Sequence, residues 1–75
     1  MVDKRYHLHV QGFTKDVSVV TTSPRSAVAK TIMRFFSVNK HAPLDIESWP
    51  GEESKYEVSQ GGQRVATVTI VRVDE

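Results

Sequence analysis

The stretch that decides the fold is residues 23–39, which read Ser23-Pro24-Arg25-Ser26-Ala27-Val28-Ala29-Lys30-Thr31-Ile32-Met33-Arg34-Phe35-Phe36-Ser37-Val38-Asn39. Ser23 is a good N-cap because its hydroxyl can accept a hydrogen bond from a free amide of the first turn. Pro24 suits the first helical position, where its missing N–H has no partner to lose. These signals predict one helix that ends near residues 39–41, where Asn39 can turn left-handed and Pro43 prevents continuation.

The predicted helix has one apolar side. At about 100° per residue, one arc collects Val28, Ala29, Ile32, Met33, Phe35 and Phe36, and the opposite arc collects Ser26, Lys30, Arg34 and Ser37. Such a helix needs a second layer to cover its apolar side, and the segments around it have strand patterns. We therefore expect an α+β fold with a single helix packed on a sheet. The residues expected together in its core are Leu8, Val19, Ile32, Phe36 and Val68.

Apolar and polar residues alternate on both sides of the helix, a pattern that predicts strands at residues 5–11, 16–22, 55–60 and 64–73. Gly12 lies in the turn of the first hairpin and Gly61-Gly62 in the turn of the second. Residues 44–49 are either a fifth strand or a short extended segment, and Trp49 is either a core residue or an anchor for a partner. We expect a mostly antiparallel sheet of four strands in the order ββαββ, or of five strands if residues 44–49 pair.

The loop of the second hairpin decides which side chains its strands share. A two-residue loop pairs Gln60 with Gln63, whereas a three-residue loop pairs Gln60 with Arg64. Only the second register places the apolar residues of both strands on one face, so we predict it. The cross-strand pairs it predicts are Val58 with Ala66 and Tyr56 with Val68. It leaves four β-branched residues on the face away from the helix: Val65, Thr67, Thr69 and Val71.

The order of hairpin, helix and hairpin resembles the β-grasp, or ubiquitin-like, family. The resemblance rests on the first hairpin at residues 6–19, on Ser23-Pro24 at the start of the helix, and on the long last strand at residues 64–73. It implies that the first and last strands lie parallel at the sheet centre, in the order 2-1-4-3. Residues 72–75 lack the di-glycine tail of conjugated members, so the resemblance implies no conjugation and no functional residue. A plain antiparallel sheet is the alternative topology.

Composition limits the class of protein. Seventy-five residues predict a single small domain, 1–75, with a thin core. The absence of cysteine excludes disulfides and thiolate chemistry. No apolar run approaches the roughly 20 residues that a membrane span needs, and the first residues do not have a signal-peptide pattern. We expect a soluble, cytoplasmic protein that binds no membrane.

Charge is unevenly distributed along the chain. Residues 1–41 contain seven Lys and Arg against two Asp, a net charge of +5, and residues 42–75 contain three against seven acidic residues, a net charge of −4. A random split in a short chain explains this equally well as a basic surface that meets an acidic partner or a phosphate backbone. The residues that would bind nucleic acid are Lys4, Arg25, Lys30, Arg34 and Lys40.

The sequence contains no catalytic signature, phosphate-binding loop or dinucleotide fingerprint, so we expect no enzyme and no cofactor. His7 and His9 project from the same face of the first strand, roughly 7 Å apart. With a third ligand such as His41 or Glu57 they could hold a metal, but no other ligand spacing supports this, and we predict no metal site. A pH-sensitive contact surface beside Arg5, or simply a solvated sheet face, explains them better.

These observations predict a non-enzymatic protein-interaction module, a small regulator or inhibitor that binds a larger protein through its uncovered sheet face. Four β-branched residues beside a basic strand form a semi-apolar patch suited to a protein partner or to a second copy of the chain, giving a homodimer. The same residues also suit strand propensity alone. The predicted contact residues are Arg5, His7, His9, Val65, Thr67, Thr69 and Val71. Nucleic-acid binding through the basic N-terminal half is the alternative function.

Overall fold

The computed structural model describes residues 3–39 and 41–74. The described chain forms β1 (Lys4–Val10), β2 (Val17–Thr21), α1 (Pro24–Phe35), β3 (Asp45–Trp49), β4 (Glu52–Gln60) and β5 (Gln63–Asp74). The strands make one five-stranded antiparallel sheet in the order β2-β1-β5-β4-β3, and α1 covers one of its faces. The protein is therefore a small α+β fold in which residues 45–49 do form a strand.

The sheet is plain antiparallel, and the parallel pairing that the β-grasp resemblance implied is wrong. β1 and β5 are neighbours, as predicted, but they run in opposite directions, with Arg5 opposite Asp74 and Val10 opposite Val68. The physical reason is the fifth strand. Successive strands after the helix run in opposite directions. With two strands after the helix, the last one would run parallel to β1. With three strands, the last one, β5, runs antiparallel to β1.

The helix begins as predicted, but the side that it buries is rotated about the helix axis from the predicted side. The hydroxyl of Ser23 accepts a hydrogen bond from the amide of Ser26 at 3.2 Å, which confirms the N-cap. The fully buried helix residues are Ala27, Val28, Thr31 and Ile32, whereas Met33, expected on the buried arc, is 41% exposed. Burial of Thr31 is possible because its hydroxyl donates to the carbonyl of Ala27 at 2.9 Å.

The helix ends at Phe35, earlier than the predicted residues 39–41. Phe35 follows Ile32 by about one turn but is 46% exposed, and its ring meets that of Phe13 edge-on at 5.8 Å between centroids. Phe36 is extended and packs against the core, where its ring stacks on Phe13 at 5.8 Å between centroids. Because the helix ends at Phe35, the extended backbone at Phe36 can direct the Phe36 ring onto the core.

The core lies between α1 and the inner sheet face. Leu8, Ile32 and Val68 are fully buried in it, as predicted, and Val19 and Phe36 are partly buried against it. The other core residues are Tyr6, Val10, Ala27, Val28, Tyr56 and Val58.

The second hairpin combines both registers considered from sequence. Its loop is the two-residue Gly61-Gly62, with Gln60 opposite Gln63, so the predicted three-residue loop is wrong. Both glycines have positive φ, +60° and +82°, as a tight hairpin turn requires. An irregularity at Val65 then shifts the pairing by one residue. The pairs predicted for the shared apolar face, Val58 with Ala66 and Tyr56 with Val68, are therefore present.

A second irregularity in β5 lies at Val71. Leu8 pairs with Ile70 and His7 pairs with Arg72, so Val71 is the extra residue. Bulges of this kind re-aim side chains and increase the local twist. As a result Val71 and Arg72 both lie on the side of the sheet away from the helix. Among the described residues, no helix is both long and apolar enough to cross a membrane.

The candidate functional site on the uncovered sheet face

The face of the sheet that α1 leaves uncovered carries the candidate site, and we call it the open face. It is formed by His7 and His9 of β1, Lys55 and Glu57 of β4, and Thr67, Thr69, Val71, Arg72 and Asp74 of β5. These residues alternate with, or are shifted by a bulge from, the buried residues of the same strands. The face therefore follows from the strand alternation and the two irregularities of β5.

Asp74 joins an imidazole and a guanidinium at one end of the open face. Its Oδ2 accepts a hydrogen bond from His7 Nε2 at 2.8 Å, and its two carboxylate oxygens accept from Arg72 at 3.0 and 3.1 Å. Hydrogen bonds from His7, followed by those from Arg72, hold the pKa of Asp74 below its ordinary value. Because an ionised carboxylate only accepts, Nε2 of His7 carries a hydrogen. The cluster ties β1 to the end of β5.

His9 makes a second pair with a carboxylate. Its Nδ1 donates to Asp16 Oδ1 at 3.0 Å, and Asp16 lies just before β2. His7 and Asp16 line one shallow cavity together with Val71 and Arg72, of about 290 Å³. His7 lines this cavity itself, and His9 reaches its rim only through Asp16, so each histidine is held in place by its own aspartate.

Thr69 lies at the middle of the open face. It pairs with His9 on one side and with Lys55 on the other, so the three side chains form a row across β1, β5 and β4. A cavity of about 190 Å³ opens beside this row and is also lined by Gln11 and Thr67. A row with a cation, a hydroxyl and an imidazole can donate several hydrogen bonds to a carbonyl or carboxylate of a partner.

Trp49 and Lys55 form the corner of the open face. The ammonium of Lys55 lies 4.0 Å from the centroid of the Trp49 ring, a cation–π contact. The indole N–H is buried and has no hydrogen-bond partner among the described residues. A further shallow cavity at this corner is lined by Gly51, by the first residues of β4 as far as Lys55, and by Thr69. Trp49 is absent from the central core cluster, so it is not the core residue that one of the two sequence interpretations expected.

The predicted contact residues do not all lie where sequence placed them. His7, His9, Thr69 and Val71 are on the open face, and Arg5, exposed and opposite Asp74, adjoins it. Val65 instead packs against the core, because the irregularity at that residue turns it inward, so its predicted placement is wrong. Thr67 is on the open face but only 4% exposed. Its hydroxyl accepts from Arg64 Nη2 at 3.0 Å, so the arginine covers it.

The predicted nucleic-acid residues are not brought together. Lys4 pairs with Thr21 at the β2 side of the sheet, while the guanidinium of Arg25 donates to the carbonyl of Ile46 at the β3 side. Lys30 and Arg34 are exposed on α1, and Lys40 lies outside the described residues. Arg25 lies in the first turn of α1, where the helix dipole disfavours a cation, and its contact with Ile46 gives it a partner within the chain.

The open face shows neither a metal cluster nor an activated nucleophile in the part of the chain that the structure describes. No three His, Asp or Glu side chains there converge on one point. Ser18 lies opposite His7 across β1 and β2, but in the described chain the ring nitrogens of His7 and His9 contact Asp74, Arg72 and Asp16, and none contacts a hydroxyl. The arrangement can bind polar groups, and it lacks the nucleophile–base contact that acyl transfer needs.

Sequence reasoning offered Trp49 as one of two alternatives, an anchor for a partner, and missed Asp16, Lys55, Arg72 and Asp74 as members of this surface. The sequence did indicate the positions of Lys55 and Glu57, since both alternate with the apolar residues Tyr56 and Val58 and so point to the opposite face of the strand. The contribution of Arg72 and Asp74 had no such signal, because it depends on the irregularity at Val71. Comparisons of the chain with protein-family models, with curated proteins and with solved structures find no match.

Proposed function

We propose that this chain is a non-enzymatic protein-interaction module, a small regulator or inhibitor that binds a larger protein through the open face. The observation that carries the proposal is the set of polar side chains already held in place there. His7, Arg72 and Asp74 form one hydrogen-bonded cluster, and His9 with Asp16 forms another. Ordering such side chains on binding is a main cost of association, so a surface that holds them beforehand binds with less loss of entropy.

The mixture of charges also supports a protein as the partner. Cations and carboxylates alternate across the open face, with Lys55 beside Glu57 on β4 and Arg72 beside Asp74 on β5. A polyanion requires a surface of one sign, whereas a protein surface offers both signs to be matched. Val71, 51% exposed, and the Trp49 corner add apolar area between the charged groups.

Affinity capture with three versions of the chain tests the proposal. The open-face variant is Thr69→Glu/Val71→Lys, which leaves the net charge unchanged and alters the middle of the face. The matched control is Ser37→Glu/Ser48→Lys, two exposed serines away from the open face. We expect quantitative mass spectrometry to find one partner captured by the wild type and the control and lost from the open-face variant. Equal capture by all three proteins would contradict binding through this face.

A titration with the purified partner makes the test direct. Trp49 is the only tryptophan of the chain and lies at the corner of the open face beneath Lys55. Its fluorescence should therefore change on binding of a partner that contains no tryptophan or has been labelled to separate the signals. Binding with no change in the Trp49 emission and no loss in the Thr69→Glu/Val71→Lys variant would place the interface elsewhere.

A further inference from the structure

The two edges of the sheet differ in how they are protected. The β3 edge contains Asp45 and Glu47, and its pairing with β4 is irregular before Trp49. The carbonyl of Ile46 in this strand also accepts a hydrogen bond from Arg25 of α1. Charges, irregular pairing and covered backbone groups are the features that keep a sheet edge from pairing with another chain.

The β2 edge has none of these features. Its sequence, Val17-Ser18-Val19-Val20-Thr21, contains no charge and no proline, and its pairing with β1 is regular over all five residues. In the described ranges 3–39 and 41–74, no other segment pairs with its outer side. Val20 is 50% exposed on this strand. An uncharged, regular edge of β-branched residues is a template for a further strand.

We propose that β2 pairs antiparallel with β2 of a second copy of this chain, about a two-fold axis at Val19, which joins the two sheets into one. Residues that point to the helix side of one sheet must lie opposite residues that point to the helix side of the other. The register centred on Val19 meets this condition and pairs all five residues of each strand. It places Val17 opposite Thr21 and Ser18 opposite Val20 of the other copy. This surface is the outer edge of β2, which borders the open face at Ser18, and the proposal does not depend on the proposed function.

A second copy fits this edge because the strand is complementary to itself. Each off-centre pair joins a valine to a hydroxyl residue, and no like charges meet across the axis. The exposed Val20 of each copy is covered by Ser18 of the other. A closed two-fold contact also uses the edge of both copies, which leaves no β2 edge for further growth of the sheet.

The helix adds a second contact to the same interface. α1 lies mostly over β2, and the hydroxyl of Ser26 is 2.9 Å from that of Thr21 at the end of that strand. Met33 follows Ser26 by seven residues, about two helical turns, so it lies on the same side of the helix. It is 41% exposed. Two copies joined at β2 bring their helices side by side, and Met33 of each is then buried between them.

The mass in solution, measured by sedimentation over a concentration series, tests the proposal with charged variants of the edge. The wild type should approach twice the 8.4 kDa of one chain. In Ser18→Lys/Val20→Lys each lysine faces a lysine of the other copy, and in Ser18→Glu/Val20→Glu each glutamate faces a glutamate. Both side chains are exposed in one chain, so the fold should survive. We expect the dimer dissociation constant to rise by at least about tenfold in either variant, since directly opposed like charges destabilise strand pairing.

Mixing the two variants provides the decisive result. Lysines of one variant then face glutamates of the other, so a mixed dimer should form at protein concentrations where each variant alone stays monomeric. The control Ser48→Lys/Ser54→Lys, on the β3–β4 side, should dimerise like the wild type. A wild type that stays monomeric, a lysine variant that dimerises unchanged, or variants that fail to combine would each overturn the proposal. A wild type that binds only an extended peptide of another protein along β2 would overturn it as well.

Discussion

Asp74 is the residue at which the polar contacts at one end of the open face converge. It accepts from His7 of β1 and from Arg72 of its own strand, so one carboxylate links two strands. An isolated surface ion pair contributes little to stability, but a network with a bidentate arginine has better geometry than most. The carboxylate is useful to the fold only while it is ionised, which makes its contribution depend on pH.

We predict that Asp74→Asn lowers the melting temperature at pH 7 and that the difference from wild type disappears in acid. His7 and Arg72 hold the pKa of Asp74 below its ordinary value of 3.8, so folding favours the ionised carboxyl. The stability it contributes is present above pH 3.8 and is lost as the pH falls through the lowered pKa. Thermal unfolding of both proteins between neutral and acidic pH measures this.

Asp45→Asn is the matched control for that measurement, since Asp45 is exposed on β3 and has no ion pair in the described chain. Its melting temperature should follow that of the wild type at every pH. A constant difference between Asp74→Asn and wild type across the whole pH range would show that the effect arises from the shape of the side chain and not from its charge.

At the scale of elements, sequence predicted where the helix begins but not which side it buries. Ser23 and Pro24 act locally, so their roles could be read directly. The buried side includes Ala27 and Thr31, which a hydropathy pattern does not favour, because the hydroxyl of Thr31 finds its partner within the helix. The hairpin register shows the same limit. The shared apolar face was predictable, but the irregularity that produces it was not.

We predict that Ile32→Ala and Met33→Ala, adjacent on α1, have very different effects on stability. Ile32 is fully buried, and its truncation should cost about 2–5 kcal/mol in the free energy of unfolding. Met33 is 41% exposed in one chain, and its truncation should change that free energy by about 0.5 kcal/mol or less. Denaturant unfolding at low protein concentration, where copies of the chain stay apart, compares them. Similar losses in both variants would mean that α1 buries a different side from the one that contains Ile32.

At the scale of the whole molecule, the topology mixes the two oppositely charged halves of the sequence. β5, from the acidic half, lies between β1 and β4, so Asp74 meets His7 and the basic strand is partly neutralised. Sequence could not predict this direction of pairing, because it depends on whether residues 45–49 form a strand. That single element decides whether β5 runs parallel or antiparallel to β1.

We predict that any binding to nucleic acid is weak and depends little on salt. Arg25 is engaged with Ile46 on one side of the sheet and Lys4 lies on the other, which leaves Lys30 and Arg34 as neighbours on the helix. Two phosphate contacts give a slope of log affinity against log salt of about −2 for duplex DNA. Fluorescence anisotropy with a labelled duplex over a salt series measures it. A slope of about −5 or steeper, reduced in Lys30→Ala/Arg34→Ala, would instead support a phosphate-binding surface.

The central place of β5 has a consequence for the synthesis of the protein. During translation β1, β2 and α1 are synthesised before β5. Until β5 emerges, the edge of β1 that pairs with it and part of the apolar side of the helix stay uncovered. Contacts between residues as distant in sequence as Tyr6 and Val73 close late and slow the folding of a domain. The nascent chain should therefore bind holdase chaperones until residues 63–74 have emerged, and pausing translation before β5 should leave it sensitive to protease.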